Sequence, residues 1–182
     1  MNIIEEAKNI SSKIIEDRRE LHKIPETGMI LPKTAQYVIN RLKKLNIDFK
    51  TYDSHSGICA VIGKKEGKTI AVRGDMDALP VKEETNLEFK SENGNMHACG
   101  HDFHTAVVLG AAYLVKKYQG SLIGTVKFIF QPGEESGDGA EKIISTGALD
   151  DVDAIFGIHN VSDFEVGVMG LKEGAMTAAV DR

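Results

Sequence analysis

The sequence predicts an α/β fold in which a single sheet lies between layers of helices. Helical and strand-like apolar patterns alternate along the chain, and the strand-like runs are short and rich in β-branched residues. With 182 residues, the chain is long enough for one domain with a core of two or three layers. Alternation of this kind is typical of a layered domain with a largely parallel, buried sheet.

The composition narrows the class of protein. A hydrophobic content of 42% and a charged content of 27% are typical of a globular protein. The net charge of −5, with scattered basic residues, predicts no nucleic-acid surface, and no apolar run approaches the roughly 18 residues of a membrane helix. The two cysteines form no disulfide framework, and the amino terminus has no apolar signal-peptide core. We therefore expect a cytoplasmic protein without nucleic-acid or membrane partners.

Two helices are predicted before the first strand. In the first helix, apolar residues recur at helical spacing until Pro25 ends the pattern. These residues are Ile3, Ala7, Ile10, Ile14 and Leu21. The second helix is predicted to begin at Pro32, because the missing N–H of proline is not needed in a first helical turn. Its apolar face consists of Ala35, Val38, Ile39, Leu42 and Leu45.

Strands and helices alternate in the rest of the chain. ICAVIG (58–63) and TIAVRG (69–74) are predicted strands, and the intervening KKEGK predicts a hairpin turn. A helix then ends before Gly120, and its predicted apolar face consists of Val107, Ala111, Leu114, Val115 and Tyr118. The remaining predicted elements are a strand at 125–131, a helix at 140–149 and a strand at 154–159.

Acids or a histidine follow three of the predicted strands. Asp75 and Asp77 come after TIAVRG, Glu134 and Glu135 come after TVKFIFQ, and His159 ends the last strand. The carboxyl ends of parallel strands form the ligand crevice of an open α/β sheet. We therefore expect these five side chains to converge at one edge of the sheet.

The segment MHACGHDFH (96–104) contains three of the six histidines and one of the two cysteines. Carboxylate, imidazole and thiolate together suit Zn²⁺ or a neighbouring first-row ion, whereas Mg²⁺ and Ca²⁺ prefer oxygen ligands alone. Structural zinc sites are usually closed and rich in cysteine, so a single thiolate beside histidines and acids indicates an open, catalytic site. We predict a metal site with more than one ion, which Cys99 and His101 reach from this segment.

The adjacent acids Glu134 and Glu135 are expected to divide two tasks. Side chains of consecutive residues point in different directions, so one carboxylate can bind a metal ion while the other takes a proton from water. A carboxylate base beside a metal-acidified water makes a hydrolytic pair. The residues alone do not decide which glutamate has which task.

Four motifs resemble those of the zinc-type aminoacylase and carboxypeptidase family: RGDMDALP (73–80), MHACGHD (96–102), QPGEE (131–135) and IFGIHN (155–160). Within that family they are similar to the branch of hippurate hydrolases, N-acyl-amino-acid amidohydrolases and auxin-conjugate hydrolases, as is RRELHKIPETG (18–28). The resemblance covers nearly the whole chain. It implies a three-layer α/β/α catalytic domain of the di-metal exopeptidase type.

The resemblance also implies an activity and a role for each motif residue. The activity is metal-dependent cleavage of the amide bond of N-acyl amino acids, or of small peptides, by a metal-activated water with a glutamate general base. The implied cofactors are two divalent ions per complete site: zinc, manganese, cobalt or nickel. By motif position, the metal ligands are Cys99, His101, Glu135 and His159. Glu134 matches the general base, and Asp77 matches the acid that orients the site.

The carboxyl-terminal part of the chain departs from the family pattern. Relatives carry a lid domain within the catalytic domain and a further histidine ligand near their carboxyl terminus. Residues 1–182 are therefore expected to be the amino-terminal part of the catalytic domain, and AMTAAVDR (175–182) stands about where the lid domain begins. After His159 the chain reads NVSDFEVG, where relatives usually carry a proline-containing turn. The sequence is compatible with a homo-oligomer but does not determine the oligomeric state.

Two other functions are left open by the residues: a cysteine hydrolase that uses Cys99 as its nucleophile, and a non-catalytic metal-binding fragment. His97 and His104 are expected to hydrogen-bond or pack near the site rather than to bind metal, and Asp75 either contributes to the site or satisfies a local turn. Three residues are expected to lie elsewhere: Cys59 in the core, and His22 and His55 at the surface or in helix caps.

Overall fold

The computed structural model describes residues 2–64 and 66–175. Its helices are α1 (Ile3–Asn9), α2 (Ser11–His22), α3 (Pro32–Lys44), α4 (His101–Lys117) and α5 (Gly139–Ser145). Its strands are β1 (Asp48–Tyr52), β2 (His55–Gly63), β3 (Thr69–Asp75), β4 (Thr125–Gln131) and β5 (Ala154–Gly157). Among these residues, no helix is both long and apolar enough to cross a bilayer. Residues 176–182, where a lid domain was expected to begin, lie outside the described residues.

The first predicted helix is divided into two helices, α1 and α2. The break falls at Ile10, whose backbone leaves the helical conformation (φ −99°, ψ 2°). The hydroxyl group of Ser11 donates a hydrogen bond to the backbone oxygen of Lys8, at 2.8 Å. Serine side chains compete with the helical backbone in this way, which explains the break. In contrast, α3 begins at Pro32 as predicted.

The five strands form one mixed sheet in the order β1-β2-β4-β3-β5. β1 and β4 are antiparallel to β2, whereas β4 and β5 are parallel to β3. The predicted hairpin between β2 and β3 is therefore wrong, because β4 lies between them, and the sheet is parallel in only one half. β4 takes this inner position because it carries apolar residues on both faces, with Phe128 and Phe130 on one face and Ile129 on the other.

Helices cover both faces of the sheet, which confirms the predicted order of layers, α/β/α. Helices α3 and α4 pack over the face that contains Phe128 and Phe130. On the opposite face, Ile143 of α5 packs in a smaller cluster with Cys59 and Ile129. Cys59 is only 5% exposed, so its prediction as a core residue is confirmed.

Helix α4 is buried on two sides, which its periodicity did not predict. It packs against β3 on one side and against α2 on the other. Gly110 permits the contact with α2, because a Cβ atom there would lie 2.7 Å from Ile14 Cδ1. The most buried apolar residues of α4 are Ala106, Val108, Leu109 and Ala112 rather than the predicted face. A helix enclosed in this way has no single apolar stripe, so the spacing of its apolar residues does not predict which face is most buried.

His22 is buried, although the sequence predicted a surface or capping position. Its Nδ1 lies 2.8 Å from Asp102 Oδ2, and its Nε2 lies 3.2 Å from Glu83 Oε1. Arg18 Nε is 2.8 Å from the same Asp102 oxygen. The hydrogen bonds with Asp102 and then with Glu83 raise the pKa of His22, against the opposing effect of burial. These four residues tie α2 and the loop after β3 to the first turn of α4.

We expect the substitution His22→Gln to destabilise the fold by about 3 kcal/mol near pH 6, because it breaks a buried charge pair. The pKa of His22 is raised in the folded protein. Its contribution is therefore complete below the unfolded pKa of about 6.5, and it is lost as the pH rises through the folded value. Urea unfolding of both proteins at a series of pH values measures this difference, which should shrink toward alkaline pH.

His55→Gln is the matched control. His55 is also buried, contrary to prediction, but burial lowers its pKa, and its Nδ1 accepts a hydrogen bond from the backbone N–H of Gly57. Its contribution is therefore present at alkaline pH and is lost as the pH falls. The same pH dependence for both substitutions would contradict the charge assignment of His22.

Candidate metal centre

The carboxyl ends of β4, β3 and β5 lie side by side, because these three strands are adjacent and parallel. Side chains that follow the strands meet the start of α4 at this edge. Among residues 2–64 and 66–175, three groups have candidate ligand atoms within 4.8 Å of one another: Cys99, His101 and His159; Asp75, His101 and His104; and His101, Glu134 and Glu135. The predicted convergence at one edge is thus confirmed, and His101 belongs to every group.

His101 is the first residue of α4 and is almost completely buried. Its Nδ1 lies 2.8 Å from the backbone oxygen of Asp77, which can only accept, so Nδ1 donates the hydrogen bond. Its Nε2 is buried and has no hydrogen-bond partner within residues 2–64 and 66–175. Carboxylate oxygens of Asp75, Glu134 and Glu135 lie 3.7, 3.8 and 3.8 Å from Nε2. The free nitrogen of the ring is therefore directed at a group of acids.

His159 lies in the loop after β5 and faces Cys99. Its Nδ1 is 2.7 Å from the backbone oxygen of Asn160, so Nδ1 donates and Nε2 is left with its lone pair. That Nε2 lies 3.4 Å from Cys99 Sγ. Gly100 permits this approach, because its φ is +84° and a Cβ atom there would lie 2.3 Å from Asn160 Oδ1. Cys99 Sγ and one ring nitrogen each of His159 and His101 therefore lie within 4.8 Å of one another.

Asp77 is fully buried and connects the glutamates to His101. Its Oδ1 accepts a hydrogen bond from the backbone N–H of Glu134, and its Oδ2 accepts one from that of Glu135, both at 3.0 Å. Its backbone oxygen accepts the hydrogen bond from His101. A single residue therefore fixes both the turn that carries the two carboxylates and the ring that they approach.

Glu134 and Glu135 differ in burial more than in direction. Both carboxylates have an oxygen 3.8 Å from His101 Nε2. The sequence predicted that these consecutive side chains would point in different directions, but both approach the same nitrogen. The side chain of Glu134 is 42% exposed, whereas that of Glu135 is 25% exposed. Glu135 Oε1 is buried and has no hydrogen-bond partner among the described residues. Water can therefore reach Glu134 more easily than this oxygen of Glu135.

The acids make the site favourable for positive charge. Burial, and then the charge of Glu135, raises the pKa of the Cys99 thiol to about 11. Burial opposes a charge on His101, but Asp77, Asp75 and Glu135 outweigh it and raise the pKa of the ring. A divalent cation would reverse the effect on the thiol, because coordination stabilises the thiolate.

Asp75 and His104 form a second buried pair beside this site. Asp75 Oδ1 lies 2.6 Å from His104 Nδ1, and Asp75 Oδ2 lies 2.6 Å from Arg73 Nη1. Burial alone would raise the pKa of Asp75, but these contacts outweigh burial and hold the pKa at about 2. Asp75 is therefore held by His104 and Arg73 beside the candidate site rather than by a local turn. His97 is also buried, and its ring nitrogens have no partner within the described ranges.

The donor set fits a first-row divalent ion. His101 Nε2 and Glu135 Oε1 are buried without a hydrogen-bond partner in the part of the chain that the structure describes, and buried polar atoms are rarely left in that state. A cation between them would satisfy both atoms. Thiolate, imidazole and carboxylate together suit zinc and its neighbours. The groups of candidate ligands include all four residues that the family resemblance implies as metal ligands: Cys99, His101, Glu135 and His159.

Sequence reasoning did not identify what holds the loop after β5. The backbone N–H of Asn160 donates a hydrogen bond to His104 Nε2, at 3.0 Å. One signal was available in the sequence, because His101 and His104 are three residues apart and so lie on the same face of a helix. The partner in the loop is a backbone group, for which the sequence contains no sign.

Known proteins resemble this chain in sequence. A family model described as Peptidase family M20/M25/M40 matches residues 71–178. The chain is 46% identical over 175 residues to an N-acetyl-L-cysteine deacetylase of Bacillus subtilis (strain 168), covering 95% of this chain and 42% of that protein. It is 40% identical over 176 residues to an N-acyl-L-amino acid amidohydrolase of Geobacillus stearothermophilus, with coverages of 95% and 48%. The chain thus spans less than half the length of these relatives.

A solved structure has the same fold. It is a dinuclear metal binding peptidase from the M20 family, from Bacillus subtilis, and the superposition has a TM-score of 0.87 with 44% sequence identity. The match covers 92% of this chain and 47% of the other. The predicted α/β/α domain of the di-metal exopeptidase type is therefore confirmed.

We expect Asp77→Asn to destabilise the fold by on the order of 3 kcal/mol. An amide side chain has one acceptor oxygen, so its NH₂ group would face one of the two backbone N–H groups that Asp77 now binds. Thermal or urea unfolding with a chelator present measures the loss without any contribution from metal. Asp53→Asn, at an exposed position, is the control for the change in charge. Equal stability of the two variants would contradict the role of Asp77 in holding the turn that carries Glu134 and Glu135.

Labelling by a thiol reagent should report whether Cys99 binds metal. In a Cys59→Ser chain without metal, the rate should rise about tenfold per pH unit from pH 7 to 10, because the thiolate reacts and its pKa is about 11. Added Zn²⁺ should slow the reaction at each pH. The reciprocal Cys99→Ser chain retains the buried Cys59 and should label slowly throughout. A rate for Cys99 that Zn²⁺ leaves unchanged would show that it is not a ligand.

Proposed function

The chain belongs to the peptidase family M20/M25/M40, and we propose that it is part of a metal-dependent amidohydrolase. The substrate is a small molecule, an N-acyl amino acid or a small peptide, and the amide bond is cleaved. The names of the two relatives, a deacetylase of N-acetyl-L-cysteine and an amidohydrolase of N-acyl-L-amino acids, support this substrate class. The observation that carries the proposal is the unsatisfied His101 Nε2, buried among carboxylates.

In this proposal, the site holds two divalent ions, which can be zinc, manganese, cobalt or nickel. Their ligands are Cys99, His101, Glu135 and His159. The similar M20 structure, described as dinuclear, supports the number of ions. When bound, the ions would supply Lewis acidity, which polarises a carbonyl group and makes a water molecule a stronger acid.

Glu134 is the general base of this proposal. Its carboxylate is the more exposed of the pair and lies 3.8 Å from His101 Nε2, so it reaches both water and the site. Glu134 takes a proton from the water whose oxygen attacks the acyl carbon. It then delivers that proton to the amine nitrogen as the C–N bond breaks. Asp77 acts through orientation, because it holds the backbone of Glu134 and the ring of His101.

A cysteine nucleophile is less compatible with the burial of Cys99 and the negative charges around it. Such an enzyme needs a thiolate, which a positive neighbour stabilises. Burial and the charge of Glu135 instead raise the pKa of Cys99 to about 11. A chelator separates the two mechanisms, because a cysteine nucleophile would remain active after metal removal.

Hydrolysis of N-acetyl and N-benzoyl amino acids tests the proposal directly. We expect amine release in the presence of Zn²⁺, Mn²⁺ or Co²⁺, and its loss when a chelator is added. Chelator-resistant hydrolysis would favour the cysteine mechanism. Bound metal without hydrolysis of any substrate would favour the non-catalytic, metal-binding alternative.

The two glutamates can be separated by substitution. In a complete enzyme, Glu134→Gln should leave the metal content unchanged but lower turnover about 10²–10⁴-fold, the usual effect of losing a general base. Glu135→Gln should lower the metal content itself, because an amide is a weaker ligand than a carboxylate. Elemental analysis and rates, measured on the same samples, distinguish the two effects.

Glu141→Gln, on the exposed face of α5, is the control for the change in charge. It should alter neither the metal content nor the rate. Equal loss of metal from the Glu134 and Glu135 variants would show that their roles are divided wrongly.

A further inference from the structure

His104 lies in the first turns of α4, between β3 and the loop that carries His159. It is completely buried, and both of its ring nitrogens have partners. Nδ1 lies 2.6 Å from Asp75 Oδ1, and Nε2 lies 3.0 Å from the backbone nitrogen of Asn160. His104 thus connects the end of β3 to the loop after β5.

The partners of His104 determine which nitrogen carries the proton. The N–H of Asn160 can only donate, so Nε2 must accept. Asp75 is also bound to the guanidinium group of Arg73, and its carboxylate accepts, so Nδ1 donates. These two hydrogen bonds therefore select the tautomer of His104 that carries its proton on Nδ1.

Two histidines hold residue 160 from opposite sides. His104 accepts from the backbone N–H of Asn160, and His159 Nδ1 donates to its backbone oxygen. The second bond leaves His159 Nε2 directed at Cys99 Sγ, 3.4 Å away. The position of Asn160 therefore determines where His159 presents its lone pair.

The loop has little other support near this point. Pairing between β5 and β3 ends at Gly157, two residues before His159. The residues from 153 to 175 are exposed. A hydrogen bond from a buried helix is therefore an effective constraint on a segment that the sheet no longer holds.

A direct metal-binding role for His104 fits the structure less well. Its ligand atoms do lie within 4.8 Å of those of Asp75 and His101. Both of its nitrogens already take part in hydrogen bonds, however, whereas His101 Nε2 has no partner among the described residues. His104 can bind metal only if one of these two bonds is broken.

We propose that His104 is a positioning residue, which holds residue 160 and thereby places His159 Nε2 beside Cys99 and His101. This inference rests on the proposed function for its consequence, the binding of metal by His159. The holding of residue 160 is a property of the metal-free chain and can be measured separately.

Two substitutions separate the two bonds of His104. A glutamine amide reaches about as far as Nε2, so His104→Gln can still accept from Asn160 but loses its bond to Asp75. An asparagine amide reaches about as far as Nδ1, so His104→Asn can keep Asp75 but loses Asn160. The pair changes the same buried residue and therefore controls for the loss of packing.

The first measurement is amide hydrogen exchange at Asn160 in the ¹⁵N-labelled chain with a chelator present. His104→Asn should speed this exchange about tenfold or more, and His104→Gln should change it much less. Equal acceleration in both variants would overturn the proposal, because packing rather than the Asn160 bond would then hold the loop. Unchanged exchange in both would overturn it as well.

The second measurement is the affinity for Zn²⁺ in competition with a chelator. We expect His104→Asn to lose about 10–100-fold in affinity, the usual effect of losing a residue that orients a ligand, and His104→Gln to lose much less. If the unsubstituted chain binds no Zn²⁺, the proposed function fails, while amide exchange still decides whether His104 holds residue 160. Normal affinity with lost protection at Asn160 would overturn the link to His159.

A third measurement needs no substitution and applies even if both variants fail to fold. Long-range ¹H–¹⁵N spectra of the imidazole rings distinguish the two tautomers of His104 in the unsubstituted chain. The tautomer protonated at Nδ1 supports the proposal. A proton at Nε2 would overturn it, because that nitrogen could not accept from Asn160.

Discussion

The carboxylate of Asp77 is the point on which the arrangement of the site depends. It is a buried charge, and it is satisfied by two backbone N–H groups of the turn after β4. The backbone oxygen of the same residue holds His101 at the start of α4. Three segments that are distant in the sequence are therefore fixed relative to one another by one residue. Its two carboxylate oxygens bind the turn and its backbone oxygen binds the helix, so a shift of the turn relative to the helix would break at least one of these hydrogen bonds.

The location of the site could be predicted because it is a property of strand ends. Asp77, Glu135 and His159 each follow a short apolar run, and parallel strands bring their carboxyl ends together. The contacts that hold the site could not be predicted, because they join distant segments or use backbone atoms. The bond between His22 and Asp102 spans 80 residues. The insertion of β4 into the sheet could not be predicted for a similar reason, since KKEGK is equally consistent with a local turn that would pair β2 with β3 directly.

The three central histidines are oriented by different kinds of partner. His101 and His159 donate from Nδ1 to backbone oxygens, which do not titrate, so each presents Nε2 to the site. His104 donates to a carboxylate instead and accepts from a backbone N–H. The hydrogen-bond partners of each ring therefore determine its role, which is to present a free nitrogen to the site or to hold the loop after β5.

The inner position of β4 also constrains the order in which the chain can fold. β2 and β3 precede β4 by about sixty residues in the sequence, and each of them pairs with one edge of β4. Until residue 131 has left the ribosome, the inner edges of β2 and β3 have no native partner, and α4 has only part of the sheet to cover. Joining strands across such a separation requires the closure of long loops, which is slow. Nascent chains of this protein therefore expose the inner edge of β2 and both edges of β3 until β4 and β5 have been synthesised, which is the stage at which aggregation competes with folding.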